Sequence, residues 1–449
     1  MDFVTKHTSD RSLDGKLYEP DRDENGNFVF DSNGEPVDYN GDGIVENLVA
    51  DPNNDVKGWF HHHGDRGDDG STFGYRFKDL ANLADFSQEN GELAAYLEDA
   101  LKFWASKGIQ GIRHDATLHM NPAVVKNAKD AVDSEYGPIT HFGEFFIGKP
   151  DPKYGEYISF PDRTGVNNLD FEFYNTINRT FGDFSLPMTE FANMLLYTQN
   201  DYTYENQAVT FIDNHDVTRF RYIQPNDKPF HAAIVALMTS RGISAPDHES
   251  GRIYMGAVSD FKPTTATAII KKLSDLRQEN NAMAYGTTEI LYSSNDVVVY
   301  KRQFYDKQVI TAINRQPDRS FTVPALNTTL PDGIYEDVLE GLLYGESAIV
   351  SNGKIQSFTL TGGEVCVWSY NPSTKPSTPR IGDVISTMGR AGNTVYIYGE
   401  EFGNSPTVKF GTATARVVSA TDTMIKAIVP FDSKPGLNMI TVTKDEKVS

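Results

Sequence analysis

The chain has 449 residues, of which 62 are acidic and 41 basic, for a formal net charge of −21. That charge repels polyanions, which argues against nucleic acid and anionic membrane surfaces as partners. The single cysteine, Cys366, excludes an intramolecular disulfide, and no run approaches the roughly 18 apolar residues of a membrane span. The length exceeds one typical domain, so two to four are expected. Hydrophobic content of 39% with 12% aromatics is ample for packed cores. Acidity also fits a secreted or salt-tolerant protein. Met1-Asp2-Phe3-Val4 runs straight into polar sequence without a signal peptide, so export would require a leader that this chain does not carry.

Residues 1–8 open on the end of a strand, with Asp2 and His7 at the start of a long loop. Residues 9–80 are rich in Gly, Asp and Asn. A structureless loop of that length does not suit a compact domain, so the stretch reads as an inserted subdomain or a metal-ordered loop. Two patches suggest calcium. Asp21, Asp23 and Asn25 precede Gly26, and Asp38, Asn40 and Asp42 precede Gly43. Oxygen donors at positions one, three and five with glycine at six form the front half of a calcium loop. Position twelve falls on Ser32 and Val49, neither of which supplies the bidentate carboxylate, so plain Asx-turns are the alternative. The adjacent histidines His61, His62 and His63 lack a ligand spacing and read as loop contacts.

Residues 92–107 form an amphipathic helix. Leu93, Tyr96, Leu97, Ala100, Leu101 and Trp104 fall on one stripe, and Gly108 stops it. A strand over 109–113 follows, then a helix near 122–134. A strand over 139–143 ends on Glu144. A further strand over 207–212 ends in Asp213-Asn214-His215-Asp216, and a helix spans about 229–241. Strand–helix alternation with polar clusters after the strands is the pattern of a (β/α) barrel. After about 285 the pattern becomes alternating β (296–300, 309–313, 365–368), an antiparallel sandwich. Cys366, flanked by Val365, Val367 and Trp368, reads there as a buried inert thiol. A Pro/Ser/Thr linker over 371–379 leads to short strands with Gly-rich turns over 380–449, an immunoglobulin-like unit.

Arg113 and Asp115 are two apart, so an extended strand points both to one side. A neighbouring arginine keeps a carboxylate ionised, and a structural ion pair would look the same in sequence. Asp115, Glu144 and Asp216 each follow a barrel strand, which is where barrel enzymes place their chemistry. Retaining glycoside hydrolysis needs one ionised carboxylate to attack the anomeric carbon and one protonated acid, about 5–5.5 Å away, to donate to the leaving oxygen. Arg113 suits Asp115 to the first task. Phe142, Phe145 and Phe146 give Glu144 apolar company that favours the protonated form. His215 and Asp216 then grip sugar hydroxyls and stabilise an oxocarbenium-like transition state. A metal-dependent hydrolase or isomerase, with carboxylate and histidine ligands on a barrel, is the rival reading.

Three ordered segments carry a resemblance: 111–119 (Gly-Ile-Arg-His-Asp-Ala-Thr-Leu-His), 142–146 (Phe-Gly-Glu-Phe-Phe) and 211–216 (Phe-Ile-Asp-Asn-His-Asp). With 2–9 (Asp-Phe-Val-Thr-Lys-His-Thr-Ser), they resemble the signatures of the α-amylase family of glycoside hydrolases. Residues 83–90 and 166–171 resemble the cyclodextrin glucanotransferase and maltogenic α-amylase branch. The resemblance implies an α/β fold, an incomplete (β/α)8 TIM barrel with an inserted loop domain. An antiparallel β-sandwich and an immunoglobulin-like β-domain follow. It assigns 1–8 and 81–285 to the partial catalytic barrel and 9–80 to the B-like loop domain. Residues 286–372 are then a C domain, and 380–449 a D domain of IPT/TIG type.

The resemblance further implies that Asp115 is the nucleophile, Glu144 the acid/base and Asp216 the transition-state stabiliser. His7, Arg113 and His215 line the sugar subsite at the cleavage point, and His119 and Phe146 line the acceptor side. Asp85 and the His119 carbonyl are implied ligands of calcium. The implied reaction is retaining hydrolysis or transglycosylation of α-1,4-glucosidic bonds by a secreted monomer acting on α-glucan. Departures qualify it. Lys6 stands where the family has a calcium-binding asparagine, Leu118 where it has an acceptor-side lysine, and Ala81 where it has a bulky cleft aromatic. Segment 241–249 (Arg-Gly-Ile-Ser-Ala-Pro-Asp-His-Glu) replaces the eighth strand and its loop. The first two barrel strands and most of the third are not in this chain, nor is a starch-binding domain. The alternative expectation is therefore a catalytically impaired, carbohydrate-binding remnant.

Overall fold

The computed structural model describes residues 1–9, 18–41, 43, 45–48, 51–53, 55–81, 83–244 and 263–449. Asp42 and residues 245–249 therefore lie outside the described residues. The chain divides into two compact units, Met1–Phe145 with Arg163–Val166, and Phe146–Asp162 with Asn167–Ser449.

In the first unit, β1 (Asp2–Phe3), β6 (Gly111–His114) and β7 (Thr140–Gly143) pair in parallel. The register sets Asp2 beside Arg113, and Arg113 beside Phe142. Two helices precede and separate the last two strands, α2 (Gly91–Ser106) and α3 (Pro122–Tyr136). Asn90 caps α2 by accepting the Glu92 and Leu93 N–H groups at 3.0 and 3.2 Å. Asn121 caps α3, with Pro122 in the first turn, where its missing N–H costs nothing. Leu101, Ala105, Ile112, Ala128 and Val132 form one core between these helices and β6. The buried stripe of α2 is narrower than expected: Leu93, Leu97, Leu101 and Ala105 are buried, while Tyr96 and Trp104 are 52% and 47% exposed. A four-residue step drifts only 40° around a helix, so three such steps make a narrow face, and the two aromatics fall on its flank.

The rest of this unit is loop-rich. The strand β2 (His7–Ser9) pairs antiparallel with β5 (Leu83–Asp85), setting His7 opposite Asp85. Between them lie β3 (Tyr18–Pro20), its antiparallel partner β4 (Glu46–Leu48), and the short helix α1 (Thr72–Phe77). The carboxylates of the two calcium-like patches close turns. Asp23 accepts the N–H groups of Asn25 and Asn27 at 2.9 and 2.8 Å, and Asp38 those of Gly41 and Gly43 at 2.7 and 2.9 Å. Asp21 bridges the patches by accepting the Tyr39 and Asn40 N–H groups at 2.8 and 3.0 Å.

In the second unit, helices Phe171–Ile177, Met188–Asp201, Asp227–Thr239 and Thr265–Glu279 pack on an antiparallel sheet. Its strands, in order, are Thr287–Ser293, Val297–Phe304, Lys307–Asn314 and Val365–Tyr370. Val298, Tyr300, Val309, Ile313, Val365 and Val367 join the helical core. Their alternate neighbours Val297, Val299, Ile310, Ala312, Cys366 and Trp368 join a second core against further β-strands. Because both faces of this sheet are covered, its strands read as continuous apolar runs. Cys366 is buried, and desolvation pushes its thiol pKa up. The C-terminal strands form two four-stranded antiparallel sheets around Val395, Ile397, Val408, Ile425 and Val442.

The strand expected over 207–212 is shorter. Val209–Thr210 pairs in parallel with Ile243–Ser244, and a 3-10 turn covers Glu205–Gln207. The Asn178 side-chain amide donates to the Ile212 carbonyl at 2.8 Å. Among the described residues no sheet closes into a barrel, and no helix is long and apolar enough to cross a membrane.

Candidate active site

The first unit gathers Arg113, Asp115, Glu144 and His7. The Arg113 Nη1 lies 2.7 Å from Asp115 Oδ1 and 2.7 Å from Asp2 Oδ1, and its Nη2 lies 2.8 Å from Glu144 Oε1. One guanidinium thus holds three carboxylates carried by three neighbouring chain segments. The backbone beyond the strands fixes them. The Asp115 N–H donates to the Phe3 carbonyl at 3.1 Å, and the Glu144 N–H to the His114 carbonyl at 2.8 Å. Burial opposes the Arg113 charge, but Glu144, Asp2 and Asp115 outweigh it and raise its pKa above the usual arginine value.

Immediately after Asp115 the chain turns sharply. Ala116 sits at φ +50°, in the left-handed region that residues with a Cβ avoid, and its N–H donates to Glu144 Oε2 at 3.3 Å. The Thr117 N–H then donates to the Glu144 carbonyl at 3.0 Å. Thr117 is fully buried, and a Cβ at Gly143 would stand 2.8 Å from its Oγ1. Glycine at 143 is what allows the turn after Asp115 to pack directly under Glu144.

The His7 Nε2 stands 3.7 Å from Asp115 Oδ2, beyond hydrogen-bond range. Burial lowers its pKa despite Asp115, favouring the neutral imidazole. The Asp115 and Glu144 side chains are 18% and 11% exposed, so most of their surroundings are protein. His119 is buried, its ring centroid 5.0 Å from that of Tyr75, and desolvation lowers its pKa to about 3.

Asp85 has its own partners. Its Oδ1 is paired with the Lys6 ammonium, and both side chains are fully buried. Its Oδ2 is 2.9 Å from His61 Nδ1, and His61 Nε2 is 2.6 Å from Glu89. His61, read from sequence as a loop contact, therefore links two carboxylates. A calcium ion placed on Asp85 would meet a fixed ammonium, so these residues do not fit the ion that the family resemblance implies. Among the described residues no group of three or more His, Cys, Asp and Glu side chains is arranged to hold a metal.

Sequence reasoning also missed a histidine pair behind the site. His114 Nε2 lies 3.0 Å from His141 Nδ1, and His141 Nε2 lies 3.3 Å from Asp133 Oδ1. His114 is fully buried, and desolvation holds its pKa well below the usual value. The strand alternation that faces Arg113 one way faces His114 the other, so the signal was present in the pattern.

The remaining candidates belong to the second unit. Phe146 is 49% exposed with its ring 4.2 Å from that of Phe171. His215 Nε2 lies 2.9 Å from Asp216 Oδ2. Their neighbour Asp213 is buried, accepts the Phe220 N–H at 2.7 Å and pairs with Arg219 at 3.2 Å, which pins the segment carrying Asp216. Deeper in this unit the Arg241 guanidinium is paired with Asp170, both side chains fully buried. Sequence reading singled out neither as a pair, since 71 residues separate them.

Comparison with known proteins matches residues 1–257 to the alpha-amylase catalytic domain and residues 379–449 to the IPT/TIG domain. The cyclomaltodextrin glucanotransferase of Thermoanaerobacterium thermosulfurigenes is 37% identical over 442 residues, covering 96% of this chain and 59% of that protein. The Bacillus licheniformis enzyme of the same name is 38% identical over 398 residues, covering 86% of this chain and 55% of its own. The crystal structure of the gamma-CGTase from alkalophilic Bacillus clarkii is similar with a TM-score of 0.85 at 32% identity, covering 100% of this chain and 64% of that one. The chain belongs to the α-amylase family. It spans between half and two thirds of the length of these relatives.

Proposed function

We propose that the chain carries the retaining chemistry of an α-glucan-active glycosidase or transglycosylase. The observation that carries this reading is the Arg113 guanidinium paired with both Asp115 and Glu144 at the ends of adjacent parallel strands. Asp115 attacks the anomeric carbon as Glu144 donates a proton to the leaving glycosidic oxygen, and a glycosyl ester on Asp115 results. Glu144, now a carboxylate, takes a proton from water or from a sugar hydroxyl. The resulting oxygen nucleophile displaces Asp115 and restores the enzyme. Neutral His7 beside Asp115 supplies a hydrogen bond to a sugar hydroxyl. We assign Asp216 to transition-state stabilisation, His215 to the same sugar, and His119 and Phe146 to the acceptor side. No step is routed through calcium.

The relatives' name, cyclomaltodextrin glucanotransferase, supports α-glucan as the substrate class. Ala81 and Leu118, in place of a cleft aromatic and an acceptor-side lysine, favour hydrolysis or linear transfer over ring closure. The reading includes a secreted monomer, with residues 286–372 and 380–449 as accessory domains. The test is incubation of the chain with soluble starch beside its Glu144→Gln variant. Release of reducing sugar by the wild type, reduced ~10²–10⁴-fold in the variant and without cyclodextrin, supports it. No turnover by either protein refutes it and leaves carbohydrate binding alone.

A further inference from the structure

We propose that Lys6 is a built-in cation that replaces a divalent metal, clamping the loop region of the first unit to the strand that carries His7. The clamp joins three segments. Lys6 immediately precedes β2, Asp85 ends β5, and the Lys6 Nζ also donates to the Arg76 carbonyl in α1 at 3.3 Å. The backbone around it is tied in the same sense. The Phe86 N–H donates to the Lys6 carbonyl at 2.9 Å, and the Gln88 side-chain amide to the Thr5 carbonyl at 2.8 Å. The His61 N–H donates to the Asp85 carbonyl at 2.9 Å, and its ring takes the second oxygen of Asp85.

A carboxylate and a main-chain carbonyl are hard oxygen donors of the kind that hold calcium. Here an ammonium stands between them, fully buried and supplied by the chain itself. A divalent ion could enter only by displacing an ammonium that bulk solvent does not reach. The consequence reaches the candidate active site, because the residue after Lys6 is His7, opposite Asp85 in the β2–β5 ladder and beside Asp115. Order at His7 is then independent of metal supply. This inference does not depend on the catalytic reading, since its test reads stability and metal content.

The experiment compares thermal unfolding of the full chain and of Lys6→Asn in chelator and in excess calcium chloride, with bound calcium counted after dialysis. Calcium held elsewhere affects both proteins alike, so the difference between them is the readout. Asparagine removes the charge and offers an oxygen. In chelator, Lys6→Asn is expected to melt at least about 5 °C below wild type, to recover with calcium and to bind one more ion per chain. Lys6→Met, with no donor oxygen, is expected to melt low in both conditions. A Lys6→Asn chain recovered only in calcium also supports the proposal. Lys6→Asn without added calcium dependence overturns it. A second measurement needs no variant: the buried Lys6 ammonium gives exchange-protected 15Nζ–H signals that calcium leaves unchanged, and their loss on adding calcium overturns the proposal.

Discussion

Among the described residues each unit buries one cation–carboxylate pair completely, and the two pairs are built differently. In the second unit the Arg241 guanidinium meets Asp170, the Thr198 hydroxyl at 2.9 Å and the face of Tyr202 at 4.9 Å. Asp170 also accepts the Tyr202 hydroxyl at 3.1 Å and caps a helix through the Phe173 N–H at 3.0 Å. In the first unit Lys6 is a point charge sharing Asp85 with His61. Burial works against both cations. It lowers the pKa of Lys6, whereas Asp170 and its neighbours outweigh it at Arg241 and raise the pKa there. The planar fork is fixed by several groups at once, while the ammonium is a compact point charge. One pair is a structural pin in a helical core, and the other is a clamp beside the candidate chemistry.

That contrast can be broken from either side. Arg241→Ala leaves Asp170 buried and uncompensated, and is expected to cost about 3–5 kcal/mol, read by urea denaturation. Lys6→Met leaves Asp85 with His61 as partner, so a smaller loss of roughly 2–3 kcal/mol is expected. Most of that loss should return in the double variant Lys6→Met/Asp85→Leu, which removes both charges; if none returns, the clamp does more than neutralise Asp85.

A buried group with no counter-charge sharpens the comparison. His114 has a native pKa below its unfolded value, so below about pH 6.5 the unfolded chain binds a proton that the folded chain does not. Stability is therefore lost as pH falls from that value towards the depressed native one, by up to about 1.4 kcal/mol per pH unit. His114→Phe should flatten this slope in denaturation midpoints measured between neutral and mildly acidic pH. An unchanged slope would assign the acid sensitivity to other groups. The smallest effect is expected at the exposed edge of α2, where Trp104→Glu should shift stability by no more than about 0.5 kcal/mol. A larger loss would mean that Trp104 is covered in solution.

Much of the local architecture was legible because local physics writes it. The apolar spacing and Gly108 stop of α2, the helix near 122–134, the strand endings at Asp115 and Glu144, and the β alternation after 285 all depend on neighbours within a few residues. The strand over 207–212 reads too long because a 3-10 turn takes Glu205–Gln207, leaving Val209–Thr210 as the strand. Tyr96 was placed on the buried stripe because residue type suggested burial, while packing used the Leu93–Leu97–Leu101–Ala105 face.

The sequence alone suggested carboxylates after parallel strands and an arginine two residues from one of them, which follow from side-chain chemistry and the two-residue period of a strand. The lysine in place of a metal ligand is what the family resemblance implies. Only the tertiary structure decided which charges meet. Arg113 adds Asp2 and Glu144 to Asp115, Lys6 finds Asp85 across 79 residues, and Arg241 finds Asp170 across 71. A buried charge takes whatever partner the fold brings within contact, because leaving it unpaired is too costly, and that choice is made by packing rather than by spacing along the chain.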